Sequence, residues 1–209
     1  MARRASPARR KLLDAALTLV RTKGFAATTV DELCRAAGVT KGAFFHHFDT
    51  KEALGVAAAN HWADMTGALF EAAPYHDHAD PLDRFIAYVQ FRKQLLAGET
   101  AEYTCLVGTM VQEAYASSPD IRDACKASIF GHAETLETDV EAAIEAHGIA
   151  PGWSAKSLAL HTQAVLQGAF ILAKASGDVT VAEEMVDHLL RYIHLLFDRP
   201  PPGRLSAKR

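Results

Sequence analysis

Cysteine is scarce in this 209-residue chain, and the three present, Cys34, Cys105 and Cys125, stand far apart with no CxxC pair. That usage supports neither a zinc site nor a disulfide framework, and a reducing cytoplasm is its simplest setting. No apolar run reaches the ~18 residues that a membrane span requires. The charged, amphipathic start MARRASPARRKLLDAAL lacks the uninterrupted apolar block and cleavage site of a secretory signal. A Ser/His/Asp arrangement, paired acids on one helix face, a phosphate loop and HExxH are all missing, so catalysis of those kinds has no residues to carry it. No cofactor, metal or membrane partner is expected. The loop His76-Asp77-His78-Ala79-Asp80 has metal-ligating residue types, but a solvated loop ending in a helix cap accounts for it. Internal repeats and strands with their own turns are also lacking.

What the chain does have is a hydrophobic content of 49%, a charged content of 22% and ample length for a buried core. Its net charge of −3 hides an asymmetry. Residues 1–53 hold ten Lys/Arg against five Asp/Glu, hence +5, and the remainder holds twelve against twenty, hence −8. A basic head on an acidic body points to a polyanionic partner for the head alone.

Helix punctuation is dense. Ser6-Pro7 opens a helix with the stripe Leu13, Ala16, Leu17, Val20, which ends at Lys23-Gly24. Thr29 and Glu32 have capping-box spacing, and Val30, Leu33, Cys34 and Ala37 follow on one face up to Gly38. Thr40 caps a second short helix over 41–47. The pair forms a helix-turn-helix whose second helix can lie in a major groove. Asp49 or Thr50 starts a connector helix over 51–73. Further helices are expected from Asp80-Pro81 to Gly98, over 101–116, from Ser118-Pro119 to Gly148, over 154–176, and from a Thr180–Glu183 capping box to 198. The expectation is an all-α fold of about nine helices: a helix-turn-helix domain at 1–53, a body at 54–198 and a disordered tail at 199–209.

From Ala15-Ala16 through Gly24-Phe25, Thr28-Thr29-Val30, Ala37-Gly38-Val39, Lys41-Gly42, Phe48 and Lys51-Glu52-Leu54, the chain resembles the TetR family of one-component transcriptional regulators. The body resembles that family in architecture, with a Gln167-Gly168 in its penultimate helix. The resemblance implies a homodimer that binds a palindromic operator in double-stranded DNA. It also implies an effector pocket among the middle helices and a four-helix interface from the last two helices of each subunit. For that interface the candidates are Leu158, Val165, Leu172, Val186, Leu190, Ile193 and Phe197.

Carried over position by position, the resemblance makes Thr28 and Thr29 phosphate contacts, each also readable as a plain cap. Thr40, Lys41, Gly42 and Ala43 form the front of the recognition helix, with Gly42 allowing close approach. Two positions depart from the family pattern. Ala43 stands where threonine is frequent and leaves only an apolar contact. Phe45 stands where tyrosine is usual, so a phenolic hydrogen bond is lost. His46 and His47 can supply polar reach, and Phe44 and Phe48 are expected in the core. Lys51 is a further phosphate candidate. Arg3, Arg4, Arg9, Arg10 and Lys11 form a basic arm or a loose tail.

In the body, Trp62, Phe85, Tyr88, Phe91, Met110, Phe130, His132, His161 and Phe170 are either core or pocket lining for a small, largely apolar effector. Glu113 is an orienting carboxylate or a surface residue near a helix end. Cys105 lies where electrophile-sensing members of the family place a reactive thiol, with a structural cysteine as the other reading. The main expectation is a ligand-responsive repressor. A thiol-sensing repressor is the alternative, and an all-helical enzyme or adaptor the remote one.

Overall fold

The computed structural model describes residues 6–199. Arg3, Arg4 and the expected tail beyond residue 199 lie outside the described residues. Among those described are ten α-helices and one 3₁₀ turn. They are α1 Pro7–Lys23, α2 Val30–Ala37, α3 Lys41–His47, α4 Lys51–Glu71, the 3₁₀ turn Pro74–Asp77, α5 Pro81–Gln94, α6 Thr100–Tyr103, α7 Leu106–Ala114, α8 Pro119–Ala146, α9 Ala155–Ser176 and α10 Val179–Leu196.

Most starts are capped by the residues that the sequence singles out. Ser6 accepts from the Arg9 N–H with Pro7 behind it, Thr29 and Glu32 close the expected capping box, and Thr40 and Thr50 accept from Ala43 and Ala53. Asp80 caps α5 by accepting from Leu82, so that carboxylate belongs to a helix start.

Two starts differ from expectation. The helix expected over 101–116 is broken, because Thr104 is extended (φ −80°, ψ 157°) and Cys105 begins a new helix, its Sγ accepting the Gly108 N–H at 3.4 Å. The last helix begins before the Thr180–Glu183 box. Asp178 reaches the Thr180 N–H at 2.9 Å and captures the start two residues early.

The chain folds as two compact units. The first comprises residues 6–73 with Gly98–His132. Its core joins Leu12, Ala16 and Val20 of α1, Leu33 of α2, Phe44 of α3, Leu54 and Ala58 of α4, Leu106 and Met110 of α7, and Ile121 and Cys125 of α8. Here α7 packs on α1 and α4, and α6 on α1. The three-helix head therefore shares one hydrophobic core with elements far along the chain. Gly55 sits where a Cβ would press on Phe25 and Ile121, so that glycine permits the close approach of α4.

The second unit comprises Pro74–Ala97 with residues 133–199. Within it α9 and α10 form a helical hairpin around Gly177 (φ 69°), and α5 packs on α10. Arg199, expected at the start of a loose tail, is anchored: its N–H donates to the His194 carbonyl at 2.9 Å, and its guanidinium donates to Asp83 at 2.6 Å.

His194 of α10 is buried, and its Nδ1 has no hydrogen-bond partner. Burial first, and the Arg199 charge second, push its pKa below the ordinary 6.5. The unfolded chain therefore takes up this proton before the folded one does. The stability held above pH 6.5 is lost as pH falls through the lower folded pKa. Urea denaturation at about pH 7.5 and about pH 5.5 should show lower stability at the acid end, and His194→Gln should reduce that difference.

Candidate nucleic-acid interface

Gly38 joins α2 to α3 in the left-handed conformation (φ 62°, ψ 40°), with the N–H groups of Gly38 and Val39 returned to the Arg35 and Cys34 carbonyls. Phe44, fully buried, and Phe48, at 5% exposure, then anchor α3, their rings 5.8 Å apart. With that inner face committed, Lys41, Gly42, Phe45 and His46 are exposed, and Ala43 and His47 are half-buried. Phe45 keeps 52% exposure although its ring meets Phe44 edge-on at 5.2 Å. The outer face of α3 thus combines a cation, a glycine, an open aromatic ring and an imidazole.

Several expected contact residues are engaged within the protein. Thr28 is buried, and its hydroxyl donates to the Gly24 carbonyl at 2.7 Å, so it closes the turn before α2 and cannot present its hydroxyl outward. Thr29 is exposed but tied to Glu32, which accepts from its N–H at 3.0 Å and its hydroxyl at 2.8 Å. The Lys23 ammonium at 2.5 Å, with those two Thr29 donors, holds the Glu32 carboxyl down to about 2. The capping box at the start of α2 thus satisfies the Thr29 and Glu32 N–H groups internally. Lys41 pairs with Asp31 at 2.8 Å, which raises the lysine pKa. His47 bonds to the Ser6 hydroxyl at 2.9 Å, tying the end of α3 to the cap of α1, while His46 projects outward.

Lys51 differs most from expectation. Its ammonium donates to the carbonyls of Phe25 (3.1 Å), Thr28 (3.2 Å) and Ala26 (3.4 Å) and lies 4.5 Å from the Phe25 ring centre. It clamps the turn before α2. Of the basic arm, Arg9 stacks over Phe48 at 5.3 Å, and Arg10 and Lys11 are exposed.

The expected pocket residues divide between the units. In the first, Met110 is fully buried in the shared core, which makes it a packing residue. Trp62 lies under the Arg21 guanidinium at 5.1 Å, His132 packs on the Phe70 ring at 4.5 Å, and Phe130 is exposed. Glu113 accepts the Ala26 N–H at 2.7 Å, so its carboxylate is directed at the turn before α2.

In the second unit Phe85 and Tyr88 are fully buried. The Tyr88 hydroxyl accepts from Gln163 at 3.3 Å and Arg92 at 3.4 Å, and the Arg92 guanidinium lies 5.8 Å from the Phe170 ring centre. Tyr75 meets Tyr88 at 5.5 Å and Phe91 at 6.1 Å, and burial pushes the Tyr75 hydroxyl up to about 12. His161 stays outside this cluster, exposed beside Tyr192 at 5.1 Å. Sequence reading missed Tyr75, Arg92 and Gln163. The four-residue spacing of Tyr88 and Arg92 is a usable signal, whereas Gln163 has none.

Of the expected interface residues, Leu158, Val186, Ile193 and Phe197 are buried within the unit, and Val165 and Leu190 are half-buried. Leu172 is exposed together with Ile171, Tyr192 and Leu195, the last at 76% exposure. Hairpin packing buries one apolar face of α9 and α10, while Ile171 and Leu172 near the end of α9 and Tyr192 and Leu195 near the end of α10 stay exposed.

Comparison with known proteins agrees with this architecture. Residues 12–58 match the family described as bacterial regulatory proteins, tetR family, and residues 81–189 match the tetracyclin repressor-like C-terminal domain. The chain belongs to the TetR family of DNA-binding transcriptional regulators. It is 31% identical over 133 residues to the transcriptional regulator AcuR of Cereibacter sphaeroides, covering 64% of this chain but 59% of AcuR, less than two thirds of its length. It is 28% identical over 186 residues to the HTH-type transcriptional repressor NemR of Escherichia coli K12, covering 88% of this chain and 93% of NemR. The structure of the reduced form of E. coli NemR superposes with a TM-score of 0.73 at 28% identity, covering 89% of this chain and 96% of that one. A TetR regulator from Chloroflexus aurantiacus gives a TM-score of 0.76 at 28% identity, covering 89% and 93%.

The three carbonyls on Lys51 predict a stability effect for Lys51→Ala. Thermal melting should show a loss of about 1 kcal/mol, together with faster amide exchange in the turn before α2.

Proposed function

We propose that this chain is a homodimeric, ligand-responsive repressor acting in the cytoplasm. Residues 1–53 read a palindromic operator, and the body binds a small, largely apolar effector. The observation that carries the reading is the outer face of α3. Its inner face is sealed by Phe44 and Phe48, which leaves Lys41, Gly42, Phe45 and His46 outward on a basic head. Phe45 and Ala43 favour apolar contact with sugar or a thymine methyl, and Lys41 and His46 supply polar reach. The exposed Ile171, Leu172, Tyr192 and Leu195 suit a four-helix contact between two copies. Two bound heads then stand about one DNA turn apart. The aromatic group of Tyr75, Tyr88, Phe91 and Phe170, with Arg92 and Gln163, supports an effector site in the second unit. An effector releases DNA only if it binds the released state better. No catalytic role is assigned to any residue.

Selection from fragmented genomic DNA should recover duplexes with a two-fold symmetric footprint whose affinity falls with salt. Lys41→Ala should lower the log–log salt slope by about 1 per site, without loss of folding. Recovery of no duplex would sink the reading.

The position of Cys105 favours a second reading, a thiol-sensing repressor. Cys34 and Cys125 are buried, and burial pushes both thiols up, Cys125 to about 12. Cys105 is part-exposed at the start of α7, accepts a backbone N–H, and lies within electrostatic range of the Arg21 cation. Treatment with N-ethylmaleimide should weaken operator binding by the wild type and spare Cys105→Ser. An equal response from both proteins removes this reading and leaves the first intact.

A further inference from the structure

Glu113 occupies the last turn of α7, outside residues 12–58, which match the family's DNA-binding model. Its Oε2 accepts the Ala26 N–H at 2.7 Å. Its carboxylate also fills the space where a side chain at Gly24 would begin. Gly24 ends α1 with φ 92°, a conformation that favours glycine there.

The short turn from Gly24 to Thr28 is thus held from two sides. Lys51 of α4 gathers its carbonyls, and Glu113 of α7 takes an N–H. The Ala26 residue is gripped at both ends, with Glu113 on its N–H and Lys51 on its carbonyl at 3.4 Å. This turn delivers the chain to Thr29, where α2 starts, and α2 packs directly on α3.

At its other end α7 begins at Cys105, and the preceding α6 is fastened to α1 by the Arg21 guanidinium on the Glu102 carbonyl at 3.0 Å. Nine helical residues make α7 a strut about 13 Å long. A carboxylate on a head that binds a polyanion is electrostatically unfavourable. Its contribution must therefore come from geometry.

We propose that Glu113 is a positioning residue for DNA recognition: through it α7 holds the Gly24–Thr28 turn and sets where α2 and α3 stand. A displacement of α7 then reaches the DNA-reading face by way of this carboxylate. The inference rests on the DNA-binding reading above.

The test uses the full chain and a duplex of about 30 base pairs recovered by the wild type. Glu113→Ala removes the acceptor, Glu113→Asp keeps the charge but shortens the reach, and Glu113→Gln keeps the reach without the charge. Positioning predicts that the Ala and Asp variants bind about tenfold more weakly and that Gln stays within about threefold. The salt slope should be unchanged in all three, because no phosphate contact is lost. The Ala26 amide should exchange faster in the Ala and Asp variants only. Circular dichroism and melting curves establish that each variant is folded, and the Gln–Asp pair decides the matter if Ala does not fold.

A role through charge alone has the opposite sign: Ala and Gln would bind DNA more tightly, and Asp would match the wild type. That outcome, or equal weakening of all three, overturns the inference and leaves the DNA-binding reading standing. Failure of the wild type to recover any duplex removes both.

Discussion

Burial of Phe44 and Phe48 is the constraint on which the reading head depends. A seven-residue helix is too short to persist alone in water. Here α3 exists because two aromatic side chains, four residues apart, enter the core formed by α1, α2 and α4. Fixing those rings fixes the helix rotation, and rotation decides which residues face out. The same packing that stabilises α3 therefore selects Lys41, Phe45 and His46 as its outer face.

Polar contacts then refine what the apolar core sets up. Asp31 holds Lys41, Ser6 holds His47, Glu32 holds Thr29, and Lys51 and Glu113 hold the turn before α2. Except for Glu32, which closes the capping box with Thr29, each partner comes from another turn or another helix. Exposed pairs of this kind contribute little stability, but they restrict where side chains point. The head is thus an organised surface in which Lys23, Lys41 and Lys51 each have a partner within the protein. Any partner that recruits Lys41 has to compete with Asp31 for it.

Much of this was legible in the residues. Ser6-Pro7, Thr29 with Glu32, Thr40, Asp80-Pro81 and Ser154 mark helix starts because capping is local chemistry, satisfied within three residues. Gly38 marks the turn of the helix-turn-helix for the same reason. Legibility failed where one local device competes with another. Asp178 lies two residues before Thr180 and reaches the open N–H first, and Cys105 caps a helix although cysteine is seldom read as a cap. It failed more widely for side chains with long-range partners. The terminal atoms of Glu113 and Lys51 end 87 and 25 residues away, on the Ala26 N–H and Ala26 carbonyl respectively, and no periodicity reports that.

The residues by themselves determined an all-helical chain, its helix-turn-helix and its basic head, because periodicity, capping and charge are carried by near neighbours; the family came from the resemblance of the head's motif residues. Tertiary structure alone decided the division of labour among like residues. Met110 became core, while Tyr88 joined a buried aromatic cluster. Leu158 faced inward and Leu195 outward. Lys41 stayed at the surface, while Lys51 turned into a clamp. The reason is physical. An apolar stripe states that a face will be buried without stating against what, and a long charged side chain takes whichever partners folding brings within about 3 Å.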